Sequence, residues 1–140
     1  MKKYLMMILS VGITVTAVAQ VKVPAAAKAA FEKAYPGAAK VKWSKEGVAD
    51  TEVSFVHNGK HQSAVYNQAG ILQETEETIA VSALPAGVTA YVKEHYKGAR
   101  IAEAAKITKA GGEVNYEAEV NRKDVLFDTN GKFLKEVVEH

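Results

Sequence analysis

Two of the four histidines have a spacing that could serve a metal ion. His57 and His61 are four residues apart in "HNGKH", and on a helix this spacing places two imidazoles on one face. The Asn58-Gly59 pair between them instead predicts a two-residue hairpin turn of type I′. In that hairpin His57 pairs with Lys60, and the two histidines point to opposite faces of the sheet. We therefore predict no metal site at this position.

The densest group of carboxylates is "ETEET", which runs from Glu74 to Thr78. The two-residue period of a strand places Glu74 and Glu76 on one face and Glu77 on the other. Paired carboxylates can act as acid and base when burial separates their pKa values, and they can bind calcium weakly. The favoured interpretation is a solvated strand face or edge, which charge protects from aggregation.

Nucleophilic and metal-dependent catalysis find no support in the sequence. The chain contains no cysteine, which excludes thiolate chemistry, and it has no "HExxH" spacing for catalytic zinc. Its serines lie in no "GxSxG" setting. We therefore expect a protein that is not an enzyme, with no catalytic residue, cofactor or metal site.

Aromatic side chains are the strongest candidates for a binding surface, because tryptophan and tyrosine dominate interface hot spots. Trp43 alternates with Lys40 and Lys42 on a predicted strand and shares a face with Val41. It either packs against a helix or anchors a partner from the wet face. The residues that we predict as a partner-binding surface are Trp43, His61, Glu74 and Glu76.

The first nineteen residues have the composition of a secretory signal peptide. Lys2 and Lys3 precede an apolar stretch that ends in the small-residue pattern Ala17-Val18-Ala19, which predicts cleavage near Ala19 or Gln20. An apolar stretch of about 15 residues is short for a membrane span, which needs roughly twenty. We expect a periplasmic or secreted protein that is not inserted in the membrane after cleavage.

The charge balance argues against a nucleic-acid partner. The chain has 18 basic and 16 acidic residues, and Lys2 and Lys3 account for the net charge of +2. The remaining chain is therefore neutral, whereas a nucleic-acid surface first requires a basic patch. Without cysteine, an exported chain of this size depends on its hydrophobic core and not on disulfides.

Residues 22–80 and residues 84–138 look like two copies of one unit. "VPAAAKAAFEKAYPGA" begins at Val23 and "LPAGVTAYVKEHYKGA" begins at Leu84, an offset of 61. The same offset relates "VYNQAGIL" to "LFDTNGKF" and matches Gly70 with Gly131. The shared letters therefore mark two equivalent helix ends and two equivalent turns.

Each copy is expected to open with a helix and to continue as strands. Pro24 and Pro85 occupy first-turn positions, where the missing N–H costs nothing. Apolar residues then recur at three- and four-residue spacing, which predicts an amphipathic helix. Gly37 and Gly98 lie where a helix C-terminus favours a positive φ.

The strands are expected to bury one face and to expose the other. In "YEAEV", Tyr116, Ala118 and Val120 share the buried face, and Glu117 and Glu119 share the wet face. The predicted fold class is α+β, in which one helix plus about four antiparallel strands occurs twice and both helices pack on one face of an antiparallel sheet. Our first expectation is a single eight-stranded sheet with one exposed concave face.

Together the "VP" or "LP" helix start, "YPGA", "VKW", the alternating hairpin and the final turn-strand motif resemble the PepSY-like, beta-lactamase-inhibitor-like (BLIP-like) family. These are small secreted proteins common in Bacteroidetes, and the resemblance covers residues 22–138. It implies a tandem fold in which the face opposite the helices grips a partner. PepSY domains proper are thought to restrain peptidases, so the resemblance also implies inhibition as an activity.

Two functions follow as expectations. The first is a secreted or periplasmic non-enzymatic binding protein that contacts an unidentified protein or peptide through its sheet surface, as an inhibitor or modulator of an exported enzyme. The alternative is a small-molecule or metal-ion carrier of the cell envelope that uses the cleft between the repeats or the acidic strand.

Overall fold

The structure, a computed structural model, describes residues 21–138, so the predicted signal peptide lies outside the described residues. A short 3-10 helix, Val81–Ala83, precedes the second α-helix. The elements in chain order are α1 (Ala25–Ala34), β1 (Ala39–Glu46), β2 (Asp50–His57), β3 (Lys60–Tyr66), β4 (Leu72–Ile79), α2 (Ala86–His95), β5 (Ile101–Lys109), β6 (Val114–Val120), β7 (Lys123–Phe127) and β8 (Phe133–Val138).

Both α-helices lie between the residues that the sequence marks as their limits. Pro24 and Pro85 stand immediately before the first helical residue, one position earlier than predicted. Gly37 and Gly98 follow the helix ends with φ of 77° and 75°, the left-handed conformation that the sequence predicts. Each helix has ten residues, and in the described part of the chain no helix has the length and apolar character needed to cross a membrane.

The strands form one antiparallel sheet in which the spatial order equals the chain order, β1 to β8. The predicted single eight-stranded sheet is therefore confirmed. The β2–β3 hairpin pairs His57 with Lys60 as expected, and Asn58 and Gly59 both have the positive φ of a type I′ turn, 52° and 76°. The pairing of β4 with β5, from Glu74 opposite Lys109 to Ile79 opposite Ala104, joins the two groups of four strands.

Both helices pack on the same side of the sheet, which we call the helix-covered face. Its core has two clusters of buried apolar side chains, one beneath each helix. Fully burying one of their valine, leucine or phenylalanine side chains stabilises the fold by about 1.5–3 kcal/mol. The α1 cluster contains Ala27, Phe31, Val53, Phe55, Ala64 and Tyr66, and the α2 cluster contains Leu84, Val88, Val92, Ala104, Ala118, Val120, Val125 and Phe127.

Two glycines fix the helices against the sheet. Gly70, in the turn between β3 and β4, is so close to α1 that a Cβ atom would lie 2.6 Å from the carbonyl oxygen of Ala26. Gly131, between β7 and β8, is so close to α2 that a Cβ atom would lie 2.8 Å from the Cα atom of Gly87. Both glycines also have φ of 76°, so the first turn of each helix rests on backbone that only glycine can provide.

Candidate functional site

The side of the sheet opposite the helices carries a cluster of buried carboxylates, and we call this side the helix-free face. Strand alternation places there every second residue of β4 and β6, including Glu74, Glu76 and Glu117. Each of these side chains is nearly covered by its neighbours, although carboxylates are seldom buried. The buried acidic residues, with their exposed fractions, are Glu52 (7%), Glu74 (8%), Glu76 (7%), Glu117 (2%) and Asp124 (2%).

The prediction for "ETEET" was right about the faces and wrong about solvation. Glu74 and Glu76 share the helix-free face, and Glu77 lies opposite, where it forms an ion pair with Lys60. The strand is not an edge, because β4 lies between β3 and β5. Strands on both sides therefore bury the two carboxylates, where a solvated strand face was expected.

Glu76 lies at the centre of the cluster, between its cross-strand partners Ser63 and Ile107. Burial raises its pKa well above the ordinary value, and the charge of Glu117 raises it further, followed by other carboxylates of the face. No described residue donates a hydrogen bond to its Oε2 atom. At neutral pH such a group either keeps its proton or requires a cation beside it.

The pKa values of three neighbouring carboxylates are raised as well. Burial raises the pKa of Glu52, and a hydrogen bond from Ser63 lowers it again in part. Burial also raises the pKa of Glu74, and the ammonium of Lys109 on the paired strand lowers it. Burial and the nearby acidic groups raise the pKa of Glu46, on β1, to about 7. The whole face is therefore short of positive charge.

A groove of about 130 Å³ opens on the second half of this face. Four kinds of side chain border it: apolar ones, carboxylates, two lysines and the amide of Asn115. Lys109 Nζ donates to Glu113 Oε1 at 3.4 Å, so one lysine is already engaged. The lining residues are Glu74, Ile107, Lys109, Glu113, Asn115, Glu117, Asp124, Leu126, Leu134, Lys135 and Val137.

The structure separates the four residues predicted as a partner-binding surface. Glu74 and Glu76 lie together in the carboxylate cluster, and His61 is exposed on the same face, opposite Val56. Trp43 lies on the helix-covered face, with its ring 5.6 Å from that of Phe31 in an edge-on contact. Of the two interpretations of Trp43, packing against a helix is the one that the structure shows.

Sequence reasoning missed Glu52 and Asp124 and misjudged Glu117. The face of Glu117 was predicted correctly, but the face was expected to be wet and the side chain is 2% exposed. The available signal was the repetition of acidic residues at alternate positions of two strands, Glu74 with Glu76 on β4 and Glu117 with Glu119 on β6. That pattern indicates a shared face, although it does not say whether the face is covered.

The carboxylates do not form a preassembled metal centre. Among residues 21–138, no group of three or more histidine, aspartate or glutamate side chains is arranged to hold a metal ion. The cluster is instead spread over β2, β4, β6 and β7, beside the apolar side chains that line the groove.

Comparison with solved structures gives the same fold in several Bacteroides proteins. A structure described among "putative periplasmic proteins" of Bacteroides eggerthii DSM 20697 matches with a TM-score of 0.72 and 18% identity, over 83% of this chain and 88% of that one. A DUF2874 family protein of Bacteroides uniformis ATCC 8492 matches with a TM-score of 0.69 and 19% identity, over 81% and 87%. A BLIP-like protein of Bacteroides fragilis NCTC 9343 matches with a TM-score of 0.64 and 19% identity, over 84% and 86%.

These identities are low, so the structural likenesses show the fold alone. No curated protein matches the sequence. The sequence model of one family does match, over residues 49–135, and that family is described as "Putative beta-lactamase-inhibitor-like, PepSY-like". This match spans more than half of the chain, and the chain therefore belongs to the beta-lactamase-inhibitor-like, PepSY-like family.

Proposed function

We propose that the protein is a non-enzymatic binding protein of the periplasm or cell exterior, which holds a protein or peptide on the helix-free face and so modulates an exported enzyme. The observation that carries this proposal is the cluster of buried carboxylates on a face that neither helix covers. Burying charge costs stability, and strongly perturbed carboxylates concentrate at functional sites. A partner that supplies positive charge would offset that cost.

The size of the groove favours a macromolecular partner. Sites for whole small molecules usually measure about 300–1,000 Å³, whereas this groove measures about 130 Å³. A volume of this order accommodates one side chain of a bound protein. The alternative of a small-molecule carrier therefore has less support, and the resemblance to BLIP-like proteins, in which the face opposite the helices grips a partner, agrees with the first proposal.

Affinity capture from a cell-envelope extract tests the proposed face. Leu134 lines the groove and is 46% exposed, and Val48 lies in the β1–β2 turn and is 96% exposed. Each can be replaced by glutamate without disturbing the core. We expect the wild-type protein and Val48→Glu to retain the same envelope protein at low salt, and Leu134→Glu to retain at least tenfold less. Equal retention by both variants, or no retention by the wild type, would contradict the proposal.

We also infer that residues 22–80 and 84–138 are two copies of one unit. Asn67 Oδ1 accepts hydrogen bonds from the backbone of residues 69 and 71, at 3.0 and 2.9 Å. At an offset of 61, Asp128 Oδ1 accepts the same two bonds, at 2.9 Å each. The close contacts of Gly70 with Ala26 and of Gly131 with Gly87 obey the same offset.

Exchange of the two turns tests this inference. Replacing residues 67–71 by the sequence of residues 128–132, and the reverse, preserves the side-chain acceptor and the glycine in each turn. We expect the free energy of unfolding to change by about 1 kcal/mol or less in each exchange. Loss of cooperative unfolding would show that the two turns are not equivalent.

A further inference from the structure

We propose that the groove on the helix-free face receives the side chain of a lysine or arginine from the bound protein, an inference that rests on the function proposed above. Three features of the helix-free face support this proposal: the apolar lining of the groove, its excess of carboxylates and the buried carboxylate of Glu76.

The apolar lining suits the stem of a long basic side chain. Four of the residues that border the groove are aliphatic, and they lie on β5, β7 and β8. Lysine and arginine bury their methylene groups along apolar surface while the charged end reaches polar groups. The aliphatic residues are Ile107, Leu126, Leu134 and Val137.

The polar lining suits the charged end of that side chain. Glu74, Glu117 and Asp124 border the groove together with Asn115, so carboxylate and amide oxygens, which accept hydrogen bonds, line it. Glu113 is a fourth carboxylate, and it is already engaged by Lys109. Four carboxylates and two lysines, Lys109 and Lys135, border the groove. One incoming cation would therefore bring the local charge closer to balance.

Glu76 is a further feature that suits a cation beside this cluster. Its side chain is 7% exposed, and its Oε2 atom has no hydrogen-bond donor among the described residues. The charge that influences it most is that of Glu117, which lines the groove. A guanidinium or ammonium group held by Glu117 would therefore also act on Glu76, which does not itself line the groove.

A bare metal ion fits these features less well than a basic side chain. An ion would leave the four aliphatic residues without a contact, and the ammonium groups of Lys109 and Lys135 repel a divalent ion more strongly than a single positive charge. A basic side chain uses both the apolar and the acidic lining.

Titration of the purified, 15N-labelled protein with short peptides tests the proposal. The probes are acetyl-Gly-Arg-Gly-amide and the same peptide with citrulline, which keeps the shape of arginine and removes its charge. We expect the arginine peptide to shift backbone amide signals of residues that line the groove, among them Ile107, Asn115 and Leu126. We expect the citrulline peptide to bind at least tenfold more weakly, because it lacks charge-assisted hydrogen bonds.

Two variants connect the binding to the carboxylates. Glu74→Gln removes one charge from the groove lining, and we expect it to weaken the arginine peptide at least fivefold. Glu32→Gln removes one charge from the exposed side of α1 and should leave the affinity unchanged. The comparison of arginine with citrulline on the wild-type protein remains decisive even if Glu74→Gln folds poorly.

Three outcomes would overturn the proposal. The first is equal affinity for the two peptides, or signal shifts that fall outside the groove. The second is that calcium or magnesium chloride shifts the same signals at lower concentration, which would assign the cluster to a metal ion. The third is that putrescine binds more tightly than the peptide, which would assign the groove to a free amine.

These outcomes are separable from failure of the proposed function. Envelope-protein capture that depends on Leu134, combined with equal arginine and citrulline binding, would refute only the side-chain inference. A preference for arginine without any captured partner would instead count against the proposed function, while the chemistry of the groove would stand.

Discussion

Glu117 and Ala118 are neighbours on β6, and they are almost equally buried, with exposed fractions of 2% and 0%. Ala118 belongs to the apolar cluster beneath α2, and Glu117 belongs to the carboxylates of the helix-free face. One strand therefore carries two kinds of buried residue on its two sides. Burial of the apolar Ala118 side chain stabilises the fold, whereas burial of a charged Glu117 carboxylate costs free energy. The comparison separates the apolar core beneath the helices from the carboxylate-bearing face that we propose for binding.

The largest expected effect comes from the helix-covered face. Phe127 is fully buried beneath α2, with its ring 5.4 Å from that of Tyr91. Phe127→Ala should lower the free energy of unfolding by about 3–5 kcal/mol, because it removes buried apolar area and leaves a cavity. Leu134→Ala, on the exposed rim of the groove, is the control and should cost less than about 1 kcal/mol. Urea unfolding measures both values, and a loss below about 1 kcal/mol for Phe127→Ala would contradict the assignment of this face as the core.

Removing a charge from the helix-free face should have the opposite sign. Glu76→Gln keeps the size of the side chain and removes the charge that burial and Glu117 disfavour. At pH 7.5 we expect the free energy of unfolding to rise by about 1–3 kcal/mol, because leaving a buried polar group without a hydrogen-bond donor costs of this order. Glu32→Gln, on the exposed side of α1, should change stability by less than about 0.5 kcal/mol.

The gain in Glu76→Gln should disappear near pH 4, where Glu76 is protonated in both the folded and the unfolded protein. A destabilised Glu76→Gln variant at pH 7.5 would show that the carboxylate is a stabilising part of the structure.

The buried carboxylates should also make the stability of the wild-type protein depend on pH, with a smaller effect than the Glu76→Gln substitution. The pKa of Glu76 is raised by burial and by Glu117, and the pKa of Glu46 is raised to about 7. Between the unfolded pKa of about 4.3 and these folded values, the folded state binds more protons than the unfolded state. The stabilising contribution is therefore fully present below about pH 4.3 and is lost as pH rises through the folded pKa.

Denaturant unfolding at several pH values measures this dependence. We expect the free energy of unfolding to increase by about 1–2 kcal/mol from pH 8 to pH 5. The increase should be shallower in Glu76→Gln than in the wild type. Stability that rises toward alkaline pH would refute the buried-carboxylate account.

The smallest effect is expected at Glu77, the sequence neighbour of Glu76 on the opposite face. Its carboxylate pairs with Lys60, and the two side chains are 39% and 59% exposed. Glu77→Gln should lower the free energy of unfolding by about 0–1 kcal/mol, because exposed ion pairs contribute little. A double-mutant cycle with Lys60→Met isolates the pair, and a coupling above about 2 kcal/mol would show that this face is not solvated there.

Much of the fold is predictable from short stretches of the sequence. Asn58-Gly59 specifies a hairpin turn through its own backbone preferences, and Gly37 specifies a helix end in the same way. The two-residue period placed Glu76 and Glu77 on the correct faces, because alternation is a local property of a strand.

The burial of the carboxylates was not predictable in this way. Glu74 and Glu76 are covered because β5 pairs with β4. The segment of chain that connects these two strands contains the whole of α2, so the two strands are distant in sequence. Local alternation assigns a side chain to a face, but the cover over that face comes from residues distant in sequence. Asp124, on β7, is likewise distant in sequence from the other buried carboxylates of β2 and β4, so its place in the cluster was not predictable from local alternation.

The order of the strands also has a consequence for the path of folding. Except for β4 and β5, each pair of neighbouring strands in the described sheet is joined by a short turn, so those hairpins can form from contacts close in sequence. Hairpins form in about 1–10 μs, and proteins rich in local contacts fold fast. The connection from Ile79 to Ile101 contains α2, and closing it costs more chain entropy than any of the turns. We therefore expect the pairing of β4 with β5, which assembles the carboxylate cluster, to be the slow step that completes the sheet.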